Sequence, residues 1–191
     1  SQRIVPRSAI FAKLDKWWAE KPVLMALLGE EGNGETWTGL SWRNARHQGG
    51  DPLPLTLFLN AKDVFSLEPH KVLARALSKQ TDIPDEEFWV KRLRLWEGAP
   101  NEVAQILIIL DGLNENALFN GWADFLQPLF EDERSGMYSV LITCWPTLWK
   151  RLEGLSSLLP RPQELPVPPF SDGELDALLD SHGLERSAFS R

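Results

Sequence analysis

Apolar residues fall in two patterns along this chain, and their alternation predicts a layered α/β fold. Continuous apolar stretches at residues 23–28 and 106–110, and a largely apolar one at 138–143, lack the in-out alternation of a half-exposed strand. Such stretches fit strands buried on both faces, as in a parallel sheet covered by helices. A further strand at residues 53–60 is entered through Pro52 and Pro54. A short edge strand at residues 164–167 lies in a Pro-rich passage, residues 160–169. Proline cannot donate to a ladder, so it is confined to strand starts and edges.

Helical spacing fills the gaps. Residues 8–20 carry an apolar stripe of Phe11, Leu14, Trp17 and Trp18, with Ser8 as the expected N-cap. A helix at residues 36–46 places Trp37, Leu40 and Trp42 near its core side, and two more follow at 69–79 and 85–96, the latter with Phe88, Trp89, Leu93 and Trp96 at helical spacing. Further helices are expected at 117–130, 146–152 and 172–180, the last capped by Ser171. Strands separated by helices imply a parallel sheet with right-handed crossovers.

At 191 residues the chain fits one domain with a sizeable core, burying about 70% of its unfolded surface. The net charge of −7 argues against general nucleic-acid binding by this segment, because phosphate contacts need clustered Lys and Arg. One cysteine, Cys144, excludes an internal disulfide and suits a reducing compartment. His47, His70 and His182 have neither each other nor a cysteine at ligand spacing, so the histidines and cysteine suggest no metal site. No 18-residue apolar stretch and no signal-peptide core is present, so a cytoplasmic location without membrane attachment is expected. Nine tryptophans are an unusual number, and aromatics at helical spacing are assigned to packing. Trp145 is the exception, since it sits at the carboxyl edge of the sheet, where it would fill a ligand pocket or stack on a base.

The candidate chemistry lies at two of the strand ends. GEEGNGET, residues 29–36, follows the first strand and opens a helix. It matches the phosphate-loop pattern GxxxxGK[ST] except that Glu35 stands where lysine should. In that motif glycines let backbone N–H groups converge on phosphates, lysine reaches the β and γ oxygens, and the hydroxyl ligates Mg²⁺. Gly29, Gly32, Asn33, Gly34, Glu35, Thr36 and Trp37 are therefore the candidate nucleotide-contacting residues, with Trp145 beside them, and Thr36 is a candidate metal ligand. Two unit charges about 4 Å apart interact by roughly 4 kcal/mol at an effective dielectric near 20. Replacing lysine with glutamate removes an attraction and adds a repulsion. Arg43 and Arg46 lie two and nearly three turns along the helix and face away from the phosphate end. Downstream, ILIILDGLNE at residues 106–115 ends a buried strand in Asp111, placed to hold Mg²⁺, with Glu115 placed to orient an attacking water.

GEEGNGETW, ILIILDGLNE and SVLITCWP at residues 139–146 resemble the Walker A, Walker B and sensor 1 segments of STAND NTPases, the NACHT-like signal-transduction ATPases that include bacterial members linked to immunity against phage. The resemblance covers about residues 23–179. It implies a three-layer P-loop NTPase fold, a five-stranded parallel sheet in the order 5-1-4-3-2 with helices on both faces. It also implies ATP or ADP with Mg²⁺ as ligands, other domains of a longer polypeptide as partners, and a homo-oligomer on activation. The implied division is an N-terminal helix at 1–21, an NTPase core at 22–168 and the start of a truncated helical lid at 169–191. Three positions depart from the family pattern: Glu35 for lysine, Asn114 for an aspartate, and Trp145 for an arginine. Each removes or reverses a charge used in phosphoryl transfer, which depends on positioned cations. The expected function is a regulatory switch domain with weak or absent hydrolysis. The alternatives are an active ATPase carrying an engineered lysine-to-glutamate change, and a nucleotide-free interaction scaffold.

Overall fold

The computed structural model describes residues 7–20, 23–50, 53, 55–98, 106–116, 120–131, 136–152, 154–155, 158, 161–181 and 183–184. Pro52, Pro54, the expected helix start at 117–119, His182 and the tail from 185 lie outside the described residues. Five strands form one parallel sheet: β1 (Leu24–Leu28), β2 (Thr56–Asn60), β3 (Ile106–Asp111), β4 (Tyr138–Cys144) and β5 (Gln163–Pro166). Their order is β2-β3-β4-β1-β5, the expected 5-1-4-3-2 read from the other edge.

Every residue of β1, β3 and β4 is buried, as their predominantly apolar character requires. Alternate side chains serve opposite faces of the sheet. On one face Leu24, Ala26, Ile108, Leu110, Val140 and Ile142 pack with α3 (Pro69–Gln80), α4 (Glu86–Glu97) and the short α5 (Trp122–Leu126). On the other, Met25, Leu27, Leu107, Ile109 and Leu141 pack with α1 (Ser8–Ala19) and α2 (Glu35–Gln48). Trp17, Trp18 and Trp42 join α1 to α2 with ring centroids 6.1–6.4 Å apart, so these tryptophans serve packing.

Both sheet edges are restrained. Gln80 at the end of α3 lays its carboxamide along β2: Nε2 donates to the Phe58 carbonyl at 2.6 Å and Oε1 accepts from the Phe58 N–H at 3.3 Å. A side chain thus takes the place a neighbouring strand would fill, one way proteins blunt an exposed edge. At the opposite edge β5 is only four residues long and ends in Pro166.

Several expected elements differ in detail. The strand expected from residue 53 begins at Thr56. Ser8 does not cap α1; it is the first helical residue, Arg7 is the N-cap, and no side chain caps the helix. Of the helix expected over 117–130, the described residues form α5, which starts after Gly121, and a 3₁₀ turn, Gln127–Leu129, which contains Pro128. After β4, α6 (Pro146–Trp149) is a single turn. The last helix, α7 (Asp172–Ser181), begins as expected at Ser171, and does so through a capping box. Ser171 N–H donates to Glu174 Oε2 at 2.8 Å, and Glu174 N–H donates back to Ser171 Oγ at 3.3 Å.

Candidate functional site

The glycine loop lies where the sheet's carboxyl edge meets the start of α2. Gly29 N–H donates to the Cys144 carbonyl at 3.3 Å, fixing the loop's entry to the end of β4. Gly34 is the N-cap of α2 at φ 77°, and Gly32 has φ 86°; both are left-handed positions that favour glycine. The loop therefore delivers the chain to a helix N-terminus, where unsatisfied N–H groups and the helix dipole favour an anion. Thr36 and Trp37 stand in the first turn, Thr36 exposed and Trp37 half-buried.

Asp111, at the carboxyl end of β3, is the joint beneath the loop. It is buried, and its Oδ1 accepts from Thr36 Oγ1 at 2.6 Å and from Thr143 Oγ1 at 2.7 Å. Thr143 Oγ1 in turn accepts from the Gly112 N–H at 2.7 Å. Three strand and helix ends are thus joined through one carboxylate. A hydroxyl and a buried carboxylate side by side are the donor types that hold a hydrated Mg²⁺. Glu115 is exposed on the 3₁₀ turn after β3, with Lys62 Nζ 4.0 Å away.

Glu35 does not suit a triphosphate. Its side chain folds back over the loop, so that a methyl group on Gly29 would overlap the carboxylate. Among the described residues Oε1 is buried and has no hydrogen-bond partner. Burial pushes the carboxyl above its usual range; its own backbone N–H opposes this, and the Asp111 charge adds to the rise. The loop thus holds an acid at a site that disfavours its charge. Neither arginine of α2 compensates. Arg46 pairs with Asp15 at 2.9 Å, and Arg43 is exposed, donating to Asn44.

A stability effect follows. A raised carboxyl pKa means the folded state binds the proton more tightly than the unfolded chain. The penalty is absent below the unfolded pKa and complete above the folded one. Glu35→Gln should therefore stabilise the domain at pH 7 by about 1 kcal/mol, the low end for a half-buried unsatisfied group. That is a melting temperature about 2–4 °C higher. The gain should shrink as pH falls towards 4, and equal melting temperatures at pH 7 would refute it.

Two other site residues are placed plainly. Trp145 is 37% exposed and so is not buried as a plug; the ring that lies on the loop is Phe170, which would collide with a methyl on Gly34 and meets Trp37 edge-on at 5.6 Å. Cys144 is buried, and burial pushes its thiol up to about 12, so it behaves as a small core residue.

Arg7 is the residue that sequence reading missed. It is 1% exposed, and its guanidinium donates to the Asn33 carbonyl at 2.8 Å, Thr38 Oγ1 at 3.3 Å, and the Pro168 and Pro169 carbonyls at 2.5 and 3.2 Å. A lone arginine in a polar stretch gives no local signal, because its partners lie 26 to 162 residues away in sequence.

No protein-family model matches the chain, and no curated protein matches it. Solved structures do. The Aeropyrum pernix ORC1 protein in complex with DNA is 21% identical, with a TM-score of 0.62 over 94% of this chain and 50% of that one. The ADP form of the Aeropyrum pernix ORC2 protein is 16% identical, with a TM-score of 0.60 over 97% and 54%. Cdc6p from Pyrobaculum aerophilum is 14% identical, with a TM-score of 0.58 over 96% and 51%. This chain spans about half the length of these proteins. At such identities the likeness is one of fold: the domain has the P-loop NTPase fold.

Proposed function

We propose that this domain is a regulatory, STAND-like nucleotide-binding module, a signalling or assembly switch whose Mg-nucleotide affinity and hydrolysis are weak or lost. The observation that carries this reading is Glu35, an acid folded over Gly29 in an otherwise intact glycine loop, with a buried oxygen that no described residue satisfies. Thr36 and Asp111 would hold Mg²⁺, and the N–H groups at the start of α2 would face phosphate. The Glu35 carboxylate would repel that phosphate by several kcal/mol. A micromolar ligand has only about 8 kcal/mol of binding free energy. No step of phosphoryl transfer is assigned, because the lysine's charge is reversed and no described cation stands in its place.

The regulatory role rests on the resemblance of the three strand-end segments to STAND NTPases, and a fold alone does not fix function. The flanking domains of a longer polypeptide and homo-oligomerisation belong to the same proposal. Several structural neighbours are bound to DNA, among them the Aeropyrum pernix ORC1 protein and Drosophila ORC. For this segment the net charge of −7 supports no general contact with a polyanion.

Isothermal titration of the wild-type chain with Mg-ATP and Mg-ADP tests the proposal. Dissociation constants of about millimolar or weaker are expected, with turnover at background. Hydrolysis above about 1 per second, within the ordinary enzyme range, and lost on Glu115→Gln, would overturn the reading in favour of an active ATPase.

A further inference from the structure

We propose that Arg7 is the clasp of an autoinhibitory strap: it pins residues 167–174 against the phosphate loop, so that Phe170 covers the loop's outer side. The strap is a property of this fold; that it excludes a nucleotide rests on the reading above.

The geometry is a convergence of three distant segments on one guanidinium. From the N-terminal segment, Arg7 reaches the loop at Asn33, the first turn of α2 at Thr38, and the strap at Pro168 and Pro169. Its Nε faces Glu174 Oε1 of α7 at 3.5 Å, and its guanidinium carbon lies 4.5 Å from the centre of the Phe170 ring. The loop adds a contact of its own, with Asn33 Nδ2 donating to the Val167 carbonyl at 2.9 Å. Only a planar fork with several fixed donors can serve acceptors on both sides while stacking on a ring. Phe170 is thereby pressed against Gly34 and Trp37, where N–H groups of the first helical turn would meet phosphate.

None of residues 172–180 is buried, and the clasp sits at the N-terminal end of α7. An element with few buried contacts belongs to the low-stability part of a structure and opens locally. A ligand bound to the loop would bias that opening, because it competes with Phe170 for one space.

Hydrogen exchange on the 191-residue chain tests the clasp. Arg7→Lys keeps the charge and loses the fork. Exchange over residues 170–180 should rise at least tenfold, with β3 and β4 unchanged. Phe170→Ala should also loosen these residues, and in a Glu35→Lys background it should tighten Mg-ADP binding at least tenfold. Unchanged exchange over 170–180 in both variants overturns the strap, as does loss of protection spread evenly over the sheet in Arg7→Lys. If Arg7→Lys fails to fold, Phe170→Ala and Glu174→Gln decide by the same readout. If Glu35→Lys binds no nucleotide while Arg7→Lys still releases residues 170–180, the strap stands and the nucleotide reading falls.

Discussion

Glu35→Lys should raise Mg-nucleotide affinity at least a hundredfold, about 2.7 kcal/mol. The expectation uses what the loop retains. Gly34 still turns the chain into α2 at φ 77°, and Thr36 still meets Asp111 at 2.6 Å. Within the loop, the charge at position 35 is what departs from the motif. Reversing it removes a repulsion and adds an attraction, each worth roughly 4 kcal/mol at 4 Å and an effective dielectric near 20. A hundredfold gain is therefore a conservative share, allowing for screening at a half-exposed site. Glu35→Gln separates the two parts: it removes the repulsion alone and should give an intermediate affinity. Binding to the native state also raises the melting temperature with nucleotide concentration. If Glu35→Lys folds normally and shows no such rise at millimolar Mg-ATP, Phe170 is the next obstacle. A Glu35→Lys, Phe170→Ala double variant that still binds nothing would leave the interaction-scaffold reading standing.

Which parts of this picture the sequence made visible follows from the range of the interactions. The strands β1, β3 and β4 are apolar but for Asp111, Ser139 and Thr143 because both faces are covered, and that pattern is local. The glycine loop and the acid ending β3 are likewise short motifs at strand ends, so their chemistry could be read in place. Helix limits came within a residue or two wherever a cap or proline marked them, as at Pro69, Asp85 and Ser171. The stretch after β3 was expected to be one helix over 117–130, whereas its described residues from Trp122 to Leu129 form a short α-helix and a 3₁₀ turn between Gly121 and Phe130, broken at Pro128. What the residues did not show was tertiary in origin. Arg7 acquires its role from carbonyls on two other segments, and Gln80 from the edge strand it lies against. The fold back of Glu35 over Gly29 was equally invisible, since only the folded loop sets the direction of that side chain.

Asp111→Ala should be the most damaging single change in the site, costing about 3 kcal/mol and lowering the melting temperature by about 6–12 °C. The carboxylate accepts two hydroxyl protons at 2.6 and 2.7 Å while buried, and charge-assisted bonds of this kind contribute roughly 1.5 kcal/mol each or more. Alanine removes both and loosens α2 and β4 from the end of β3 together. Asp111→Asn behaves differently. Its amide oxygen still accepts, and the like charge that helps to push Glu35 up is gone, so its cost should stay below about 1 kcal/mol. The two threonines partition the effect. Thr143→Val should cost more than Thr36→Val, because it also strands the buried Gly112 N–H that donates to Thr143 at 2.7 Å. Chemical denaturation of the four variants, with unchanged m-values, reads these differences directly. Should Asp111→Ala prove as stable as wild type, the hydroxyl-carboxylate joint contributes nothing to the fold, and Asp111 is then left with only the ligand-holding role proposed for it.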